Sequence, residues 1–473
     1  MEPGARHAFN HVLKGLPLSL DTTATAPAVL FVTLGCAKNE VDTDRMRSLL
    51  LRAGYSEAAE VDEADAVIVN TCSFLASATS ESIERTLELA EAAQEGVRGL
   101  PIVMCGCVPS RYGDELPDQL PEVAAFVRAD AEDGIVGVMD EVLGHESVVP
   151  AAEGASAGPL AEPLRTVEGA SAYVKISDGC DRFCSFCAIP YIRGRYASRP
   201  FAEIAGEVRA LAEQGVREFV LIGQDTGIWG RDLGEGDTLA SLLVRLAKIV
   251  RPYGAWLRVL YLQPEGMTDE LVAAIRDTPE VLPYIDIPIQ HCNAAVLKSM
   301  NRTGSADEFR ALFDRLRREI PGMVLRTTGL VGFPGETEEQ FEELLDFVHE
   351  QEFDYTSVFS YSREEGTRGA EMDNQVDEDV KLDRAQALTD VAEELGFSAT
   401  AKHVGEVVDV VIDGIDTDGD VPELIGHAWF QAPDCDGAVH IAEGKAAVGD
   451  VVRVRLVDSF CYELEGEIVE GEE

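Results

Sequence analysis

ISDGCDRFCSFCAIP (176–190) sets Cys180, Cys184 and Cys187 in a C-x3-C-x2-C spacing directly after the apolar strand candidate AYVKISDG (172–179). Three thiolates on one short loop can grip one face of an iron–sulfur cube. No fourth cysteine lies nearby. The closed four-ligand zinc site and the four-cysteine ferredoxin cluster therefore both fit poorly, and one iron is left open to a small molecule.

Downstream of this loop, strand candidates recur at EFVLIGQD (218–225), WLRVLYLQP (256–264), YIDIPIQH (284–291), MVLRTTGLVG (323–332) and YTSVFSYS (355–362). Helical stretches such as TLASLLVRLAKIV (238–250) and TEEQFEELLDFVHEQ (337–351) separate them. Six βα units predict a TIM-like partial β/α barrel over 172–403, with a doubly wound open sheet as the alternative.

Upstream, AVLFVTLG (28–35), DAVIVNT (65–71) and LPIVMC (100–105) each lead into a helix-like segment, which predicts a parallel α/β domain over 28–149. Cys36, Cys72 and Cys107 follow these three strands. Parallel strands put their carboxyl ends on one edge, so thiolates remote in sequence can converge on a second cluster. Cys105 reads as packing, because free cysteine behaves as a small hydrophobe. Residues 150–171, rich in Ala, Pro and Gly, read as a linker, and 1–27 as a flexible tail. From residue 404 the period changes to strand alternation around Gly and Asp turns, which predicts a small antiparallel β-barrel over 404–473.

A chain of 473 residues suits about three domains, and 46% apolar with 26% charged residues excludes global disorder. No run approaches the ~18 apolar residues of a membrane span, and the first 27 residues lack a signal core, so a cytoplasmic protein is expected. Ten cysteines without an export signal favour metal or catalysis over disulfides. The formal net charge of −47 repels phosphate backbones. Acidity peaks in residues 401–473, where 18 Asp and Glu face four Lys and Arg.

With Phe186 one place before its last cysteine, the triplet resembles the radical S-adenosylmethionine (SAM) superfamily. In that superfamily the open iron chelates SAM, whose cleavage yields a 5′-deoxyadenosyl radical. By the same resemblance, Gly223, Gln224 and Asp225 contact the SAM amino group, while Gly329, Gly332 and Glu336 lie beside the adenine. Gln290 and Arg326, with His291 and Cys292 near the former, are expected at the barrel mouth as SAM or substrate contacts. Cys435 and Cys461 read as residues without function.

From residue 28 to 470 the chain is similar to the methylthiotransferases, whose terminal module is a TRAM domain. TLGCAKNEVD (33–42) and ISDGCDRFCSFCAIP resemble the RimO-type branch more than the tRNA branch, which carries YGCQMN-like and EGCDK-like motifs. The resemblance implies methylthio insertion at the β-carbon of an aspartate of small-subunit ribosomal protein twelve. It further implies two 4Fe-4S clusters, SAM used twice, a low-potential electron donor such as flavodoxin or ferredoxin, and a sulfur donor; neither membrane nor tRNA is expected. An acidic terminal barrel suits a basic protein partner. The alternatives are a tRNA adenosine methylthiotransferase and an iron–sulfur carrier without turnover.

Overall fold

The computed structural model describes residues 26–95, 99–145, 147, 165, 167, 169–417, 422–442 and 444–469. The expected tail over 1–27 and the linker over 150–171 fall almost wholly outside the described residues. The chain divides into two units, Met1–Ser156 and Ala157–Glu473.

In the first unit, β1 (Ala28–Thr33), β2 (Ser56–Glu57), β3 (Ala66–Thr71), β4 (Ile102–Gly106) and β5 (Val123–Arg128) form one parallel sheet in the order β2-β1-β3-β4-β5. β3 and β4 are buried at every position, which is why they read as unbroken apolar runs. The edge strands β2 and β5 were not among the three expected: β2 is two residues long, and β5 alternates burial and exposure along most of its length.

The second unit holds β6 (Ser171–Lys175), a short ladder of β7 (Ser177–Asp178) with β8 (Ala197–Ser198), then β9 (Glu218–Ile222), β10 (Trp256–Val259), β11 (Val281–Gln290), β12 (Val324–Val331) and β13 (Tyr355–Ser360). Six of these run parallel in the order β13-β12-β11-β10-β9-β6, the expected partial barrel. One face packs Leu221, Leu257, Val259, Ile285, Ile287 and Leu325 against the surrounding helices. The period of two therefore sends the alternate residues Arg258, Tyr284, Asp286 and Arg326 to the lumen face.

β14 (Val407–Asp416), β15 (Glu423–Ala428), β16 (Val439–Ile441), β17 (Val451–Ser459) and β18 (Leu464–Ile468) close into a barrel in the order β14-β15-β16-β18-β17. Its pairings are antiparallel except β16 with β18, which run parallel.

Candidate iron–sulfur and SAM site

The loop of Cys180, Cys184 and Cys187 is held in shape by backbone it did not choose. Gly179 takes φ +71°, and a Cβ there would lie 2.2 Å from the Arg195 carbonyl oxygen, so only glycine fits. Asn301 donates through Nδ2 to the carbonyls of Arg182 (3.0 Å) and Phe183 (3.1 Å). The Ser185 N–H donates to Met300 O at 2.9 Å and its hydroxyl to Ser299 O at 2.8 Å. Phe186 packs on the apolar cluster of Val296, Met300, Leu330, Phe333 and Tyr361, tying the loop to β12.

Burial pushes the Cys180 thiol up and that of Cys187 to about 12, while the backbone N–H groups of Arg182 and Ile189 point back at the two sulfurs. Thiols so placed become thiolates when a cation shares the site, which suits iron. Among the described residues no three His, Cys, Asp or Glu side chains converge on the position of one metal ion. A cube asks for a different arrangement, one thiolate on each of several irons, so its ligands surround it rather than meet.

Beyond the carboxyl end of β9, Gly223 leaves room that a Cβ would fill 2.4 Å from Ser177 Oγ. Asp225 is fully buried, and burial holds its carboxyl above the usual range. Oδ2 accepts from Arg182 Nε at 2.6 Å, whereas Oδ1 and Gln224 Oε1 are buried acceptors without a protein partner. Orphan acceptors of this kind are rare, and a ligand ammonium would satisfy them. The donor set and these two oxygens fit a cube with SAM beside it.

Other expected contacts sit differently. Gln290 ends β11 with φ +69°, at the strand end as anticipated. His291 is buried and neutral, its pKa lowered to about 3 by desolvation, and Cys292 is buried beneath Glu343, toward whose carbonyl its thiol points. A Cβ on Gly329 would meet Leu388, and one on Gly332 would meet Lys381, both on helix Glu378–Ala401. These glycines thus admit helix packing. Glu336 accepts from the Gly332 N–H at 3.0 Å and from Arg384 at 2.8 Å, holding that turn from within.

In the first unit, Cys36 precedes helix Ala37–Arg52, Cys72 follows β3 and Cys107 follows β4. β3 lies between β1 and β4. Gly35 (φ +106°) would put a Cβ 2.6 Å from Cys72 Cβ, and Gly106 (φ +92°) would put one 2.4 Å from Asn70 Oδ1. Two glycines thereby let the three cysteine-bearing turns close on one another. Asn39 links the same turns, donating to Asn70 Oδ1 at 3.2 Å and Thr71 O at 3.0 Å. Cys105 is wholly buried in the sheet core. Cys107 opens a helix rather than continuing the strand, so the two do not share a strand face.

Residues 174–348 match the radical SAM superfamily, 28–128 match uncharacterized protein family UPF0004, and 404–469 match the TRAM domain. The ribosomal protein uS12 methylthiotransferase RimO of Bdellovibrio bacteriovorus is 40% identical over 455 residues, covering 94% of this chain and 98% of that protein. Its counterpart in Pelobacter propionicus is 42% identical over 445 residues, covering 93% and 98%. The chain belongs to the RimO methylthiotransferase family. Among solved structures, the radical SAM methyltransferase TsrM from Kitasatospora setae, with cobalamin and a 4Fe-4S cluster bound, shares the fold at TM-score 0.52 and 15% identity, covering 71% of this chain and 72% of that one.

One expected contact lies elsewhere in this methylthiotransferase. Arg326 is the third residue of β12, far from its carboxyl end, and its guanidinium is engaged by Asp286, Ser357 and Asp436. Two carboxylates, Asp286 on the neighbouring strand at 3.1 Å and Asp436 at 3.0 Å, hold it there. Arg182, Asn301 and Asp286 escaped sequence reasoning altogether. Arg182 alone carried a signal, a cation inside the cysteine loop of a strongly acidic chain.

Proposed function

We propose that the protein attaches a methylthio group to the β-carbon of an aspartate in ribosomal protein uS12. The observation that carries this reading is near-full-length identity of about 40% to RimO methylthiotransferases, together with a three-cysteine loop beside unpaired acceptors at the end of β9. The substrate C–H bond is too weakly acidic for a positioned base. When bound, the cube and SAM together supply a carbon radical for that bond.

The protein's own residues then have three tasks. Cys180, Cys184 and Cys187 hold the cube of the barrel, and Cys36, Cys72 and Cys107 hold a second one. Asp225 and Gln224 present acceptors to the SAM ammonium. Phe186 and its apolar neighbours keep water from the loop, as radical chemistry demands. A low-potential donor such as flavodoxin or ferredoxin supplies electrons, and a separate donor supplies sulfur.

Purified, anaerobically reconstituted enzyme given SAM, sulfide and a low-potential reductant should add the mass of one methylthio group to uS12, and replacing the target aspartate should prevent it. Methylthioadenosine in digested tRNA, with uS12 unaltered, would overturn the substrate.

A further inference from the structure

We infer that Asp436, in the C-terminal barrel, is a positioning residue for the SAM end of the β/α barrel, acting through a line of contacts that ends on Tyr261. The inference rests on the reading that the end of β9 receives SAM.

The line begins at the barrel floor. Asp436 is buried; its Oδ2 accepts from the Ala432 N–H at 2.9 Å and from the Tyr284 hydroxyl, which leaves Oδ1 for Arg326 Nε at 3.0 Å. The planar fork of Arg326 then donates through Nη1 to Asp286 Oδ1 at 3.1 Å and through Nη2 to Ser357 at 2.7 Å. Three contacts on one rigid plane fix its direction, which a lysine ammonium could not do. Asp286 passes the constraint on, because its Oδ2 accepts from the Tyr261 N–H at 2.9 Å.

Tyr261 is where the constraint becomes useful. Its φ is +62°, a left-handed conformation that a side-chain-bearing residue keeps only when its surroundings impose it. Held there, its carbonyl accepts from the Thr226 N–H at 3.2 Å, while the Thr226 hydroxyl donates to the neighbouring Leu260 O at 2.7 Å and lies 3.2 Å from Tyr261 O. Thr226 follows Asp225 directly, so the orphan Oδ1 of Asp225 takes its place from this turn. Without the Asp436 charge, Arg326 loses one of two anions, Asp286 shifts, and Tyr261 is released toward ordinary φ.

The simpler account is that Asp436 only fastens the C-terminal barrel. Thr400 tests it, since its hydroxyl donates to Phe460 O at 2.8 Å, which fastens the same barrel to helix Glu378–Ala401 off the line. In full-length reconstituted enzyme, Asp436→Asn should weaken SAM binding by about tenfold in equilibrium dialysis. It should also speed amide exchange at 225–228 and 260–262, whereas Thr400→Val should change neither by more than about twofold. Glycine adopts φ +62° freely, so in a Tyr261→Gly background the Asp436→Asn loss should shrink to under about threefold. Equal losses in both backgrounds, or unchanged exchange, would reduce Asp436 to a fastener. The exchange measurement needs neither cluster nor SAM, so a wild-type enzyme that failed to bind SAM would count against the proposed function and leave this line still decided.

Discussion

His427 donates through Nε2 to Glu218 Oε2 across 2.5 Å, joining the C-terminal barrel to the foot of β9 where neither side chain reaches solvent. Its Nδ1 lies 2.6 Å from Asp413 Oδ2, and the second oxygen of Glu218 accepts from Arg258 Nε at 2.6 Å. An imidazolium clamped between two carboxylates, one of them paired again, is strong only while every member keeps its charge.

That condition sets a pH dependence. Burial alone would lower the His427 pKa, but Glu218 and Asp413 outweigh it and raise the value from 6.5 to about 9, while Arg258 and His427 hold Glu218 near 2. A folded pKa above the unfolded one contributes stability that is complete below pH 6.5 and fades as pH rises through about 9. Thermal unfolding should show the midpoint falling across this window, and His427→Gln should lower it at pH 6.5 while flattening the slope. An equal slope in the variant would remove His427 from the account.

Reconstituted enzyme should bind about eight irons, four per cube. Replacing Cys180, Cys184 and Cys187 by Ala should leave about four and abolish SAM cleavage; replacing Cys36, Cys72 and Cys107 should leave about four with cleavage retained. Iron assay with detection of 5′-deoxyadenosine checks both, and four irons in the unaltered enzyme would refute the second cube.

Gly106→Ala should mimic loss of the N-terminal cube without touching a cysteine, because the new Cβ would collide with Asn70 and the Thr71 backbone. Gly113→Ala is the control: its φ is also positive, at +51°, but nothing lies within 4 Å of the added Cβ. Full iron content in Gly106→Ala would show that the three turns need not close so tightly.

Arg182→Leu should cost about 2 kcal/mol in urea unfolding, since it strands the buried Asp225 carboxylate without a partner. Adding Asp225→Asn should recover much of the loss, as expected of a directly coupled pair. Additive losses would mean that Arg182 acts through Glu265, 3.2 Å away, instead.

Runs of apolar residues ending in cysteine or glycine made the inner strands and both cysteine triplets legible in the sequence. What stayed hidden was long-range. β2 and β16 are too short to show a period, and the parallel β16–β18 pairing that closes the terminal barrel leaves no local mark. Arg326 reads as a mouth residue because it lies on a barrel strand, where catalytic groups gather at the mouth; its acidic partners lie 40 and 110 positions away. The glycines of 329–332 were legible as glycines, yet the neighbours that require them, Leu388 and Lys381, belong to a helix that begins only at Glu378. The acidity of the C-terminal barrel was also only partly a surface property, since Asp436 faces inward and Asp413 pairs with a buried histidine.

The floor contacts of Asp436 bear on how such proteins can be recombined. A terminal barrel transplanted from a relative with a neutral residue at this position would leave the half-buried Arg326 beside a single acid, and a host lacking the arginine would bury Asp436 with no cation at Oδ1. Positions 286, 326 and 436 therefore form an inheritance unit that crosses the domain boundary. Chimaeras should be cut so that all three come from one parent, whatever the sequence break between the modules invites.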